Sequence, residues 1–341
     1  MTIEIPQWPY FYGSPSGIGK IRTVPEDFIV HENLAFEPFG DGEHVFLQIQ
    51  KIGENTDTVA RQLARFADVR QRDIGYAGLK DRHAVTTQWF SVWLPGKPEP
   101  DWTSLASDSI KILRSIRHAR KLKRGALSGN RFEITVRDWQ GDQAKTLEQL
   151  ALIKAKGIAN YYGEQRFGNQ GQNVNKALAM FSGMKTGREQ RSLYLSATRS
   201  YLFNQILGAR VATGTWNQAL AGDTFMFDGS KSCFKSQLPD AEILRRLEAK
   251  TIHPSGILWG KGPLDVSADA LVIEQKLIDS HHDLAQGLIA SGVEKARRAL
   301  RVNVENLDWQ FSNQATLQLC FTLPAGSYAT SVLREIIRFT P

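Results

Sequence analysis

Apolar and polar residues alternate with a two-residue period through 26–32 (Glu-Asp-Phe-Ile-Val-His-Glu) and 44–50 (His-Val-Phe-Leu-Gln-Ile-Gln). That period places every second side chain on one face, so both stretches are expected to be half-buried strands. Residues 87–94, 109–116 and 132–138 are further strand candidates. The period changes after 55–58 (Asn-Thr-Asp-Thr), which offers capping oxygens. Val59, Leu63 and Phe66 then fall on one helical face. Residues 142–156 predict a second helix carrying Leu147, Leu150 and Ile153 inward, and Gly157 is positioned to stop it.

The texture changes at 157–168, which is rich in glycine and aromatic residues, and the chain beyond it reads as mostly helical through about 303. Residues 191–210 give the strongest helical pattern there, with Leu193, Ala197, Tyr201 and Ile206 near one face; 274–289 and 294–302 also read as helices. Residues 223–234 suggest a small hairpin around Asp228-Gly229. Strands return at 307–311 and 316–322, a hairpin about 312–314. Residues 323–337 form a loop running into a helix capped near Ser327. Strands at both ends with helices between them predict an α+β domain interrupted by an inserted, mostly helical α+β domain.

The 341 residues are 42% hydrophobic and 23% charged, which suits a folded protein with a substantial core. A net charge of +7 favours an anionic partner. Much of the charge is concentrated: Arg114, Arg117, His118, Arg120, Lys121, Lys123, Arg124 and Arg131 fall within eighteen residues. A solvated face is the ordinary explanation of such a run; a track for nucleic-acid phosphates is the functional one. Cys233 and Cys320 stand in unrelated contexts, which leaves no disulfide framework. Neighbouring His281 and His282 would point to different helix faces, so no metal is expected. The N-terminal residues lack a basic and apolar leader, and no apolar run approaches ~20 residues, so a cytoplasmic protein without membrane contact is expected. Gly13 to Lys20 superficially resembles a phosphate loop but lacks the Gly-Lys-Ser/Thr ending and a βαβ setting. No cofactor is expected, no obligatory protein partner, and a monomer.

The most informative stretch is 75–88, Gly-Tyr-Ala-Gly-Leu-Lys-Asp-Arg-His-Ala-Val-Thr-Thr-Gln. It sets Asp81 between Lys80 and Arg82 in a glycine-punctuated loop before a strand. Flanking cations favour an ionised carboxylate and attract a polyanionic substrate. An arbitrary loop aspartate is usually a turn residue. This one sits in a longer pattern, Gly-x-Lys-Asp-x-x-Ala-x-Thr-x-Gln.

Together with 25–30 (Pro-Glu-Asp-Phe-Ile-Val), 129–132 (Gly-Asn-Arg-Phe), 160–168 (Asn-Tyr-Tyr-Gly-Glu-Gln-Arg-Phe-Gly) and 323–331 (Leu-Pro-Ala-Gly-Ser-Tyr-Ala-Thr-Ser), that pattern resembles the TruD family of tRNA pseudouridine synthases. The likeness runs from about Gly13 to Ile337. It implies a pseudouridine synthase core with a mixed, largely antiparallel sheet, formed by 1–156 and 305–341, and an inserted TRUD domain at 157–304. It implies isomerisation of uridine-13 of tRNA without a cofactor. Asp81 resembles the family's catalytic aspartate, which attacks C1′ or abstracts the 2′ proton; the residues do not choose between these routes. Phe28 and Tyr328 match nucleotide-contacting positions and Asn130 a uracil-binding one. The family more often has Phe at the place of Tyr328, whose extra hydroxyl needs a partner. Phe132, two residues after Asn130, is assigned to the same pocket. Arg22 is the candidate cation for Asp81, with Lys20, Lys80 and Arg82 as alternatives, and Arg334 is a candidate phosphate ligand. A non-catalytic tRNA-binding protein is the competing class, and it is opposed by the intact surroundings of Asp81. An RNA methyltransferase is opposed by the lack of a glycine-rich cofactor loop after a strand.

Overall fold

The computed structural model describes residues 2–339. Along the chain, strands β1 (Gly17–Lys20), β2 (Phe28–Leu34) and β3 (His44–Ile52) precede helix α1 (Thr56–Phe66). Strands β4 (Ile74–Tyr76), β5 (Val85–Trp93), β6 (Ile110–His118) and β7 (Leu127–Gly141) follow. Then come α2 (Gln143–Lys156), β8 (Ile158–Ala159), α3 (Gln172–Phe181), α4 (Arg188–Ala212), β9 (Thr224–Phe227), β10 (Cys233–Lys235), α5 (Ala241–Glu248) and β11 (Ile252–Leu258). The last elements are α6 (Ala268–Asp279), α7 (His282–Ala290), β12 (Ala296–Ala299), β13 (Arg301–Val302), β14 (Glu305–Asn313), β15 (Thr316–Pro324), α8 (Ala329–Leu333) and β16 (Ile337–Phe339).

The chain forms two compact units. The first takes Ser16–Gln143, Val304–Gly326 and the strand from Ile337; the second takes the segment ending at Pro15, Ala144–Asn303 and Ser327–Ile336. These limits differ from the sequence expectation of 157 and 304, for physical reasons. Gln149 on α2 donates to the carbonyls of Tyr12 and Ser14, and Glu335 accepts from the amide of Phe11. Arg334 donates to the carbonyls of Trp8 and Pro9 and lies 4.5 Å over the Tyr10 ring. The guanidinium proposed from sequence for a phosphate is therefore spent on the chain's own N-terminal segment.

The first unit is built on a ten-stranded sheet ordered β14-β15-β7-β2-β5-β3-β6, with β1 added beside β7, β16 beside β1 and β4 beside β5. Among the described residues of this sheet only β2–β5 and β1–β16 run parallel, so it is mixed and largely antiparallel, as the family resemblance implies. Val45, Leu47 and Ile49 of β3 and Phe90 and Val92 of β5 share one face, which α1 covers with Val59 and Leu63. Burying a side chain such as Leu63 contributes about 1.5–3 kcal/mol. Phe46, Trp89 and Leu122 form a cluster on the opposite face. His118, part of the basic run, is buried there and stacks on Phe36.

The second unit centres on α4, whose Ala197, Tyr201, Phe203 and Leu207 pack with Trp8, Tyr161, Val174 and Leu288. Beside it lie a four-stranded sheet ordered β10-β9-β11-β12 and the short pair β8–β13. Gly157 ends α2 with φ +79, a backbone that glycine adopts freely. The 294–302 stretch is strand rather than helix. Its arginines are not a solvated face: Arg297 bonds Glu274 and Asp265, and Arg301 donates to His253. Residues 274–289 are two helices broken at Ser280-His281, and His281 turns inward to Tyr201. Ser327 does not cap α8; Tyr328 holds that position, and the Ser327 hydroxyl donates to Asn160.

Candidate active site

Asp81 lies between β4 and β5 on a loop tied at several points. Thr56, in the first turn of α1, accepts from the Lys80 amide at 3.0 Å and donates to Gln88 Oε1. Gln88 on β5 donates to the Gly78 carbonyl at 2.6 Å. The last polar residue of the 75–88 pattern thus buttresses the loop bearing its aspartate. Lys51, fully buried at the end of β3, donates to the carbonyls of Asp81 at 2.9 Å and Glu54 at 2.7 Å. Burial lowers the Lys51 pKa to about 8 against an opposing pull from Asp81 and Glu54.

Of the four cations considered, the structure puts Arg22 on Asp81. Its Nη2 lies 2.6 Å from Asp81 Oδ2, with the carboxylate side chain 39% exposed. Arg22 has φ 61, a left-handed backbone that costs a non-glycine residue ~1–3 kcal/mol. Its guanidinium carbon stands 4.1 Å above the Phe28 ring. Lys20 instead pairs with Asp138, and Arg82 donates to the Gly53 carbonyl.

Lys80 turns away from Asp81 and into the sheet. Its ammonium lies 3.0 Å from Glu32 Oε2 and donates to Asn130 Oδ1 at 2.5 Å. Glu32 is buried, which raises its pKa, while Lys80 and the Trp89 amide oppose the rise. Register makes this cluster possible, because Asn130 on β7 faces Glu32 on β2 and Phe132 faces Val30. Phe28, Val30 and Glu32 share one face with Asn130, Phe132 and Ile134. Phe28 and Phe132 meet edge to face at 6.2 Å. The structure therefore brings Arg22, Phe28, Asp81, Asn130 and Phe132 into one unit. Phe28 is 2% exposed and serves as the platform for Arg22.

Tyr328 belongs to the second unit. Its hydroxyl accepts from Arg166 Nη2 at 2.7 Å and Nε at 3.1 Å, which answers the need created by Tyr in place of Phe. Tyr162 meets the same ring at 6.0 Å, and Arg298 lies 4.1 Å above Tyr162. The basic run in the first unit is partly spent. Arg114 lies over Trp89, Arg117 donates to three carbonyls, Lys121 donates to the Arg72 carbonyl, Arg124 donates to Tyr76 and Arg131 pairs with Glu133. Arg120 and Lys123 are exposed and without a partner among the described residues.

Sequence reasoning did not single out Glu32, Lys51, Thr56, Gln88 or Arg166. Two of them leave a signal. Val45, Leu47 and Ile49 set an inward row that Lys51 continues, and Phe28 and Val30 set one that Glu32 continues. A charge in the next buried place of an alternating strand needs a buried partner.

Among the described residues no helix is long and apolar enough to cross a membrane, and no group of three or more His, Cys, Asp or Glu could hold a metal ion. The family model described as tRNA pseudouridine synthase D (TruD) matches residues 5–180 and 171–336. The tRNA pseudouridine synthase D of Methylococcus capsulatus is 52% identical over 335 residues, covering 98% of this chain and 95% of that protein. The one from Hydrogenovibrio crunogenus is 44% identical over 336 residues, covering 98% and 97%. The crystal structure of a putative tRNA pseudouridine synthase D from Methanosarcina mazei superposes with a TM-score of 0.71 at 22% identity, over 98% of this chain and 95% of that one, and shares the fold. With its family model matched along almost the whole length and relatives this similar end to end, the chain belongs to the tRNA pseudouridine synthase D (TruD) family.

Proposed function

We propose that this protein isomerises uridine-13 of tRNA to pseudouridine, with Asp81 as the reacting carboxylate. The observation that carries the reading is the Arg22–Asp81 ion pair on a loop anchored by Thr56, Gln88 and Lys51. A partly exposed carboxylate held in one orientation by a guanidinium suits a group that must meet a sugar carbon while ionised. On one route an Asp81 oxygen bonds to C1′ as the N1–C1′ bond breaks. The freed uracil anion turns and C5 displaces the carboxylate, after which C5 loses a proton and N1 gains one. On the other route Asp81 takes the 2′ proton as the uracil anion leaves, C5 joins C1′ of the resulting glycal as the proton returns to C2′, and C5 then loses a proton while N1 gains one. Both conserve atoms and electrons and need no redox partner.

The target base must leave its stack, at a cost of a few kcal/mol that a pocket offsets. Phe28 and Phe132 are the proposed aromatic walls and Asn130 the polar contact; Arg22 supports the carboxylate. Tyr328 is retained as a base-contacting residue through its match to the family pattern. The sheet unit is proposed as the catalytic one, and residues 157–304, nearly all of them in the helical unit, as the family's inserted domain. Arg120 and Lys123 are the cations of the basic run left for phosphates. Reversing both charges is expected to weaken tRNA binding and reduce its log–log salt slope by ~2.

The direct test is incubation of purified protein with unmodified bulk tRNA, followed by carbodiimide primer extension. A stop at position 13 without added cofactor supports the reading. A pseudouridine stop elsewhere only, or none, overturns it.

A further inference from the structure

The cluster of Glu32, Lys80 and Asn130 decides which face of an amide the pocket offers. A lysine ammonium is a donor with no acceptor capacity. The Asn130 atom 2.5 Å from Lys80 Nζ must therefore be Oδ1, whatever the amide's orientation would be elsewhere. Lys80 is not free to release it. Its side chain is 8% exposed, and its ammonium is 3.0 Å from the fully buried carboxylate of Glu32. The other Glu32 oxygen accepts from the Trp89 amide, which fixes the carboxylate in turn. Asn130 is half-buried, and among the described residues nothing accepts from its Nδ2. The group left for a ligand is thus an NH2 donor.

We propose that Lys80, held by Glu32, is a specificity-determining positioning residue: it fixes Asn130 as a donor, so the pocket takes the 4-oxo group of uracil and refuses the 4-amino group of cytosine. This rests on reading the site as a pyrimidine pocket served by Asp81. Asn130 stands at the far end of the Lys80 side chain from the main chain that carries Asp81. In this assignment it meets the edge remote from the sugar, where uracil and cytosine differ. A donor also stays matched through the reaction. Turning the ring about its N3–C6 axis brings C5 to the place of N1 and exchanges O4 with O2, and both are acceptors. Cytosine would present an amino group in one of the two orientations, donor against donor. The fixed amide therefore selects a base whose two carbonyls are interchangeable under the turn.

The test compares the Kd for tRNA carrying uridine or cytidine at the target position, measured at fixed salt. The wild-type protein is expected to prefer uridine by about tenfold or more. Asn130→Asp keeps an acceptor for Lys80 and so keeps the fold, checked by Tm, but offers the base an acceptor. Its ratio is expected to reverse in favour of cytidine; the added negative charge weakens both complexes and cancels in the ratio. Lys80→Met combined with Glu32→Leu frees the amide and is expected to bring the ratio close to one. A wild type that binds both alike, or ratios unchanged in both variants, overturns the inference. Failure of the underlying reading is visible separately, as a wild-type protein that makes no pseudouridine; unchanged ratios in a protein that does make it reject the Lys80 assignment alone.

Discussion

Each unit contains a buried ion pair, and the two are built to different ends. In the helical unit, Arg210 and Asp223 are 3% and 1% exposed, and every guanidinium nitrogen and both carboxylate oxygens have a bonded partner. The guanidinium forks onto both carboxylate oxygens and also donates to the carbonyls of Thr215 and Gln218, while Asp223 accepts from the Leu220 amide. In the sheet unit, the side chains of Glu32 and Lys80 are 0% and 8% exposed, but Lys80 spends one donor on the oxygen of Asn130, and that amide keeps an unused NH2. A closed network fixes the chain after α4. The open one fixes a chemical group for something outside the chain. Burial is common to both, so what separates structure from site is the donor left over.

Replacing one partner should separate the two in stability first. Arg210→Met leaves the Asp223 carboxylate buried and unpaired, and is expected to lower the unfolding free energy by ~3–5 kcal/mol in urea titrations. An intact stability would mean that the closed network is not what holds that turn. Replacing both partners sharpens the comparison, because well-packed apolar pairs often restore stability. Arg210→Met with Asp223→Leu should recover to within ~1–2 kcal/mol of wild type and retain pseudouridine formation. Lys80→Met with Glu32→Leu should recover stability similarly, yet lose ~10–100-fold in kcat/KM as Asn130 loses its orientation. Equal activity in the two double variants would erase the distinction.

A smaller effect concerns Lys51, a buried ammonium that no carboxylate approaches within ion-pair distance among the described residues. Its pKa falls from 10.5 in the unfolded chain to about 8 in the folded protein. Between those values the unfolded state binds more protons, so stability attributable to this residue rises with pH. Below pH 8 both states are charged and the folded one bears the full penalty. Wild type should therefore gain on Lys51→Met by up to ~3 kcal/mol between pH 8 and 10.5, measured by urea unfolding at each pH. A difference flat in pH would assign Lys51 an ordinary solvated charge.

The same contrast explains what was legible in the sequence. Half-buried strands were readable because one wetter face leaves an alternation, as in β2 and the middle of β7, whereas β3 is buried on both faces over its first half. The 294–302 stretch, read as a helix, is strand because Arg297 and Arg301 are held by partners distant in sequence that no local pattern shows. Strand β11 was hidden by Pro254. That residue contributes only its carbonyl, which accepts from the Leu300 amide. At the site, Asp81, Asn130 and Phe132 could be found in contiguous motifs. Thr56 and Gln88 could not be given roles, since their partners are fixed by how α1 and β5 meet the loop. Lys80 was expected to face phosphates or Asp81; it points to Glu32, a pairing set by strand register rather than by neighbours in the chain.

The most direct test of the account compares wild type with Asp81→Asn in one assay of tRNA binding and position-mapped pseudouridine. Asp81 is partly exposed and its pair with Arg22 lies near the surface, so the substitution should change stability by no more than ~1 kcal/mol. The account predicts tRNA affinity within ~3-fold of wild type and product formation reduced at least ~10³-fold. Pseudouridine formed by the variant at the wild-type rate would contradict it.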